Sequence, residues 1–190
     1  FANIGTPEEA GSAVSMGADG IGLFRTEFLY MNRASLPSED EQYEAYRRAL
    51  SSLGGRALVI RTFDIGGDKD VPSLNLPREQ NPFLGFRAIR IGLKNQELLK
   101  TQLRAVLRAA VFGAAEIMFP MIISVEELRS LKIMLDECSS ELTAQKIPYN
   151  REIPIGIMVE TPAAALTAPA LAAECCFLSI GTNDLTQYTL

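Results

Sequence analysis

The sequence predicts an α/β fold, a (β/α)8 barrel of the TIM type with about six βα units present in its 190 residues. Three observations predict it. Short apolar runs alternate with longer amphipathic patterns six times over, the order of a parallel sheet joined by right-handed crossovers. Runs such as Leu58-Val59-Ile60 and Ile155-Gly156-Ile157-Met158-Val159 are apolar throughout, as strands are when both faces of their sheet are covered. Charged residues stand where apolar runs stop. The first two observations fit a doubly wound sheet equally well. The third favours a barrel, in which the C-terminal strand ends face one mouth.

The elements follow in order. A strand at 1–4 opens the chain, and Thr6-Pro7-Glu8-Glu9 then supplies an N-cap, a proline at the first helical position and a glutamate three after the cap. A second strand covers 20–25. Pro37-Ser38 with Glu41 opens a helix running to about Leu53, and a third strand covers 57–62. The stretch from Phe63 to about Pro82, with Gly66-Gly67, Pro72 and Pro77, is a long connection of the kind that usually serves function. Leu99, Leu103, Val106, Leu107 and Ala110 repeat at helical spacing. A fourth strand covers 116–121. Ser124 with Glu127 reads as a capping box, ahead of a helix with Val125, Leu128, Leu131, Leu135, Cys138 and Leu142 on one face. A fifth strand covers 155–160, Thr161-Pro162 starts a short alanine-rich helix, and a sixth strand covers about 177–181.

Composition narrows the function. The chain is 47% hydrophobic and 22% charged, ordinary for a soluble domain. A net charge of −5 without a basic tail argues against nucleic acid and against anionic membrane surfaces. No run of 18 apolar residues and no signal-peptide pattern is in view, so a cytoplasmic chain with no membrane insertion is expected. Cys138, Cys175 and Cys176 have neither disulfide nor zinc spacing and read as reduced thiols, Cys138 as core. There is no histidine, which removes imidazole from every role. The first residues, Phe1-Ala2-Asn3, lack a methionine, so an excised barrel domain, 1–190, incomplete at its C-terminal end, is expected.

The candidate site lies at the strand ends. Arg25 ends the second strand, Arg61 the third and Glu160 the fifth, and Asp184 follows the sixth. Two carboxylates without histidine or thiol partners favour a hard cation, Mg²⁺ or Mn²⁺. A general acid and base pair is the competing reading for the same two residues. The arginines favour the metal, because guanidinium forks grip phosphate or carboxylate oxygens. Simple ion pairs, Arg25 with Glu27 and Arg61 with Asp64, are the plainer alternatives. Gly66-Gly67-Asp68-Lys69 is either a phosphate-cradling turn or an ordinary one. Arg87 directly follows the long connection and is placed to reach the mouth, whereas Arg90 fits a solvated face. Met118, Met121 and Met158 read as barrel packing.

At these residues a resemblance emerges. Gly-Ile-Gly-Leu-Phe-Arg-Thr-Glu-Phe-Leu-Tyr-Met (20–31), Val-Glu-Thr-Pro-Ala-Ala-Ala (159–165) and Ser-Ile-Gly-Thr-Asn-Asp-Leu-Thr-Gln-Tyr (179–188) resemble signatures of phosphoenolpyruvate-utilising enzymes. Arg-Thr-Phe-Asp-Ile-Gly-Gly-Asp-Lys (61–69) and Asn-Pro-Phe-Leu-Gly-Phe-Arg-Ala-Ile-Arg (81–90) look like the Enzyme I branch of that family, from the bacterial sugar phosphotransferase system. The resemblance implies Glu160 and Asp184 as Mg²⁺ ligands and Arg25 and Arg61 on the phosphoryl group. It implies Arg87 and Asn183 as further substrate contacts and Lys69 as a lesser one. The implied reaction moves the phosphoryl group of phosphoenolpyruvate to a histidine on a separate N-terminal domain, leaving pyruvate, and then to the carrier HPr. It also implies a homodimer. The family's proton-donating cysteine lies in a loop beyond Leu190 and none of the three cysteines matches it, so no catalytic residue is expected within this chain. A dikinase or synthase barrel, or a fragment that only associates with other chains, are the alternative functions.

Overall fold

The computed structural model describes residues 1–31, 33–66, 71–74, 76 and 79–190. Six strands carry the fold: β1 (Ala2–Ile4), β2 (Ile21–Arg25), β3 (Leu58–Arg61), β4 (Ala115–Phe119), β5 (Ile155–Val159) and β6 (Phe177–Ile180). Between them run α1 (Glu8–Ser15), α2 (Glu39–Ser52), α3 (Ile89–Lys94), α4 (Gln96–Ala109), α5 (Val125–Ala144), α6 (Pro162–Leu166) and α7 (Ala168–Ala172), with α8 (Thr182–Thr189) after β6. Every neighbouring pair of strands is parallel, and the spatial order is the chain order, β1 to β6. A doubly wound sheet needs a point where that order reverses, and this sheet has none.

The sheet curls. One cavity touches Asn3 and Gly22 at the β1–β2 side and Met158 and Ser179 at the β5–β6 side. Arg61 at the end of β3 also reaches the Met158 sulfur across β4. Side chains alternate accordingly. On β3, β4 and β5, Leu58, Ile60, Ala115, Ile117, Phe119, Ile157 and Val159 join the large outer core beneath the helices. Val59, Met118 and Met158 form a small inner cluster with Leu23 and Phe177 against it. Met118 and Met158 therefore pack the concave side, as expected, while Met121 lies past β4 in the outer core. Exposure of Ile180 at 70% leaves the outer face of β6 bare.

Local chemistry explains most boundaries. Ser38 and Glu41 form a complete capping box, with Ser38 Oγ accepting from Glu41 N–H and Glu41 reaching back to Ser38 N–H. Thr161 Oγ1 caps α6 by accepting from Ala164 N–H. Two expected caps differ. Thr6 gives α1 no side-chain cap; Glu9 instead accepts from Gly5 and Thr6 N–H, which carries the same stabilisation from the other end. Ser124 caps α5, but Glu127 accepts from Ile123 N–H, so the box is one residue wider. The helical repeat of Leu99 to Ala110 forms α4 and the first residue of the turn after it, and a separate short helix, α3, precedes it, parted from it at Asn95. Arg90 on α3 does not face solvent freely: it donates to the carbonyls of Leu84 and Gly85 and to Tyr188.

Candidate functional site

Parallel register brings the charges together. Arg25 and Arg61 are paired positions on β2 and β3, so both guanidiniums leave the sheet at one level. Arg61 turns inward and is buried. Its Nη2 donates to Glu27 Oε1 at 2.8 Å and lies 3.2 Å from Asp64 Oδ2, while Nη1 reaches Met158 Sδ at 3.6 Å. Burial works against the charged guanidinium, but Glu27, Asp64 and Glu160 outweigh it and hold its pKa above the ordinary value.

Arg87 is the largest of the almost fully buried side chains, 2% exposed. It grips Asp64 through Nη2 at 2.8 and 2.9 Å and through Nε at 3.2 Å. Its Nη1 donates to Asp184 Oδ1 at 2.6 Å. The Phe83 ring lies 5.7 Å below it. Backbone geometry supports this placement. Ala88, the next residue, has φ 52 and donates its N–H to Ile65, tying the end of the long connection back to its start. Such left-handed backbone at a non-glycine residue persists only where surroundings enforce it.

Glu160 follows β5 and is completely buried. Met121 N–H, on another left-handed residue, donates to its Oε1 at 2.7 Å. Its Oε2 is buried with no hydrogen-bond partner among the described residues. Burial, with Asp64 and Asp184 nearby, raises its pKa to about 7 against the pull of Arg61. Asp184 sits in the first turn of α8, and Asn183 beside it is exposed. Glu160, Asn183 and Asp184 line one cavity of about 380 Å³ on the concave side of the sheet. A roomier groove of about 600 Å³ beside Leu74, Leu76 and Phe86 lies away from these charges.

An orphaned, buried carboxylate oxygen is what a cation ligand looks like without its cation, and Glu160 Oε2 fits that role. Among the described residues no cluster of three or more acidic, histidine or cysteine side chains could hold a metal unaided. Two carboxylates therefore suit a hard cation that keeps water or substrate oxygens in its shell.

Of the residues expected at the mouth, the fold joins Arg61, Arg87, Glu160, Asn183 and Asp184. Arg25 stays at the exposed rim with its guanidinium 5.3 Å from the Phe28 ring centre. The plain Arg25–Glu27 ion pair does not form there, because Glu27 turns to Arg61. The plain Arg61–Asp64 pair does form, inside the site rather than instead of it. Lys69, with Gly67 and Asp68, lies outside the described residues. In the sequence Glu27 and Asp64 stand only as neutralising partners of Arg25 and Arg61. Their spacing from Arg25 and Arg61 was visible, but not that both would converge on Arg61.

Comparison with known proteins places the whole chain in one family. The family profile described as "PEP-utilising enzyme, PEP-binding domain" matches residues 1–190. The chain is 56% identical over 189 residues to the phosphoenolpyruvate-protein phosphotransferase of Haemophilus influenzae, and 54% identical to that of Geobacillus stearothermophilus. In each case it aligns over 100% of its own length and spans 33% of the relative. A citrate lyase crystal structure from Burkholderia xenovorans superposes with a TM-score of 0.54 at 18% identity, over 98% of this chain and 49% of that one, a likeness of fold alone. The profile spans the whole chain: this chain belongs to the phosphoenolpyruvate-utilising enzymes, as a PEP-binding domain of that family.

Proposed function

We propose that the chain is the phosphoenolpyruvate-binding part of a phosphoenolpyruvate–protein phosphotransferase, folded as six units of a (β/α)8 barrel. The observation that carries this reading is the meeting of two buried guanidiniums with the Glu160 and Asp184 carboxylates at one sheet end. Arg61 and Arg87 bind phosphoryl oxygens as charge shifts during transfer, and Arg25 closes the rim from the solvent side. Asn183 offers its amide to the substrate, with Lys69 as a lesser contact. Glu160 and Asp184 hold Mg²⁺, or Mn²⁺ in its place; the cation, when bound, offsets charge on the phosphoryl and enolate oxygens.

In the reaction the P–O bond to the enol oxygen breaks and a P–N bond forms to a histidine imidazole, leaving the enolate to be protonated to pyruvate. This chain has no histidine. The acceptor is then a histidine on a separate N-terminal domain, the next carrier is HPr, and the proton comes from a group outside these residues. A homodimer in the cytoplasm completes the proposal; among the described residues no helix is long and apolar enough to cross a membrane. The curated relatives named above are phosphotransferases rather than dikinases or synthases.

Calorimetric titration tests the reading. Phosphoenolpyruvate should bind the chain saturably with Mg²⁺ and lose most of that binding in EDTA or in Arg61→Met. Equal binding in all three conditions, or none with Mg²⁺, sinks the proposal. Mixed with the histidine-bearing domain and labelled phosphoenolpyruvate, the chain alone should give no rapid phosphorylation.

A further inference from the structure

Behind the site, on the outer side of the sheet, lies a polar network that the proposed chemistry does not touch. Gln102 on α4 is completely buried, as are Thr26, Gln42 and Tyr46. Phe63 N–H donates to Gln102 Oε1 at 2.8 Å. Because a backbone amide can only donate, the carboxamide orientation is determined, and Nε2 must be the donor on the other side. It donates to Thr26 Oγ1 at 2.9 Å and to Tyr46 OH at 3.0 Å. Both hydroxyls must then give their own protons onward. Thr26 donates to the Arg61 carbonyl at 2.8 Å, and Tyr46 donates to Gln42 Oε1 at 3.2 Å. Tyr30 OH fills the second lone pair of Gln42 Oε1 at 2.9 Å. Gln102 thus has both Nε2 hydrogens committed, while its Oε1 accepts from the Phe63 amide.

The network's neighbours in the outer core are apolar, and it pairs two main-chain groups, the Phe63 N–H and the Arg61 carbonyl, that apolar side chains would leave buried without partners. What apolar groups cannot do is hold backbone atoms in one place. Two bonds of this network land on the Arg61 carbonyl and the Phe63 amide, either side of Thr62. A third holds Thr26, the residue before Glu27, which in turn pairs with the Arg61 guanidinium.

We infer that Gln102 and Thr26 are positioning residues, which lock the ends of β2 and β3 in register so that Arg61 and Glu27 point into the mouth together. The inference rests on the phosphoenolpyruvate reading of the site. Thr26→Val removes the hydroxyl at nearly constant volume, Thr26→Ser keeps it, and the pair Thr26→Val/Gln102→Met replaces both polar partners with apolar ones. Each variant is titrated, with Mg²⁺, against phosphoenolpyruvate and against oxalate, which has no phosphoryl group for Arg61 to hold. Thermal midpoints are measured alongside.

Thr26→Val and the paired variant should weaken phosphoenolpyruvate by about tenfold, since displacement of a binding group by a fraction of an ångström is costly. Oxalate affinity should fall much less, and Thr26→Ser should behave as wild type. The paired variant should show the same selective loss whatever its thermal midpoint, which separates positioning from stability. Wild-type phosphoenolpyruvate affinity in the folded paired variant, or equal losses for both ligands, overturns the inference. A paired variant that does not fold leaves the decision to Thr26→Val, read the same way. Failure of the wild-type chain to bind either ligand sinks the functional reading, and this inference with it.

Discussion

Asp64 shows how one side chain can organise a site without being its chemistry. It takes three hydrogen bonds from Arg87 and stands 3.2 Å from Arg61. Asp64→Asn leaves two buried guanidiniums short of a counter-charge, so unfolding free energy should fall by about 3 kcal/mol, measured by urea denaturation. Glu160 predicts the opposite sign. Its pKa is raised from 4.5 to about 7, chiefly by burial, with Asp64 and Asp184 adding to it and Arg61 opposing. The folded chain therefore holds that proton more tightly than the unfolded chain. The stability this gives is complete below pH 4.5 and is lost as pH climbs to about 7. In metal-free buffer at pH 8, Glu160→Gln should be more stable than wild type by about 3 kcal/mol, a gain that disappears at pH 4. Added Mg²⁺ should raise the melting temperature of wild type and not of the variant. An unchanged difference across pH would show that burial of Glu160 carries no such cost.

Among the elements, two turns matter most to the mouth. Gly181 joins β6 to α8 with an ordinary backbone, φ −90, so alanine is sterically allowed by the chain itself. A Cβ there would stand 2.6 Å from Glu160 Oε2 and 3.0 Å from Met158 Cγ. Gly181→Ala should therefore keep its fold by circular dichroism and lose Mg²⁺-dependent phosphoenolpyruvate binding by tenfold or more, the range seen when a metal ligand's surroundings are disturbed. Gly66 differs: with φ +91 and a Cβ only 2.8 Å from the Phe86 carbonyl, alanine is strained and crowded at once. Its replacement should lower both stability and binding, because Arg87 sits against the same spot. The α2 capping box is the contrast. Ser38→Ala should cost about 1 kcal/mol and leave ligand affinity alone, since the Ser38 cap bonds only to Glu41 in the first turn of α2.

At the scale of the whole molecule, the curl separates a small inner cluster, which floors the mouth, from a large outer core that binds helices to sheet. The helices are further linked by Arg104, which bridges Glu39 on α2 and Glu141 on α5. Cys138 lies in this outer layer, on the buried stripe of α5, and burial pushes its thiol up to about 12. At pH 9 it should stay protonated and shielded, so iodoacetamide should modify exposed Cys176 and spare Cys138 until denaturant lifts α5 from the sheet. Mass spectrometry of the labelled peptides distinguishes these outcomes. Early labelling of Cys138 would mean that the outer layer opens separately from the rest.

The sequence by itself determined the strand count, the parallel alternation, the helix stripes and the four charges at strand ends, because each is written in local periodicity or in a residue's place beside an apolar run. It also carried the family signatures whole. What only the tertiary structure decided was pairing. Glu27 chooses Arg61 over the nearer Arg25, Arg87 joins Asp64 to Asp184 across 120 residues of chain, and Gln102 answers to two strand ends. The reason is physical: a charge or an amide in a buried site is satisfied by whatever the curl of the sheet brings within hydrogen-bond reach, and that curl is a property of all six strands together.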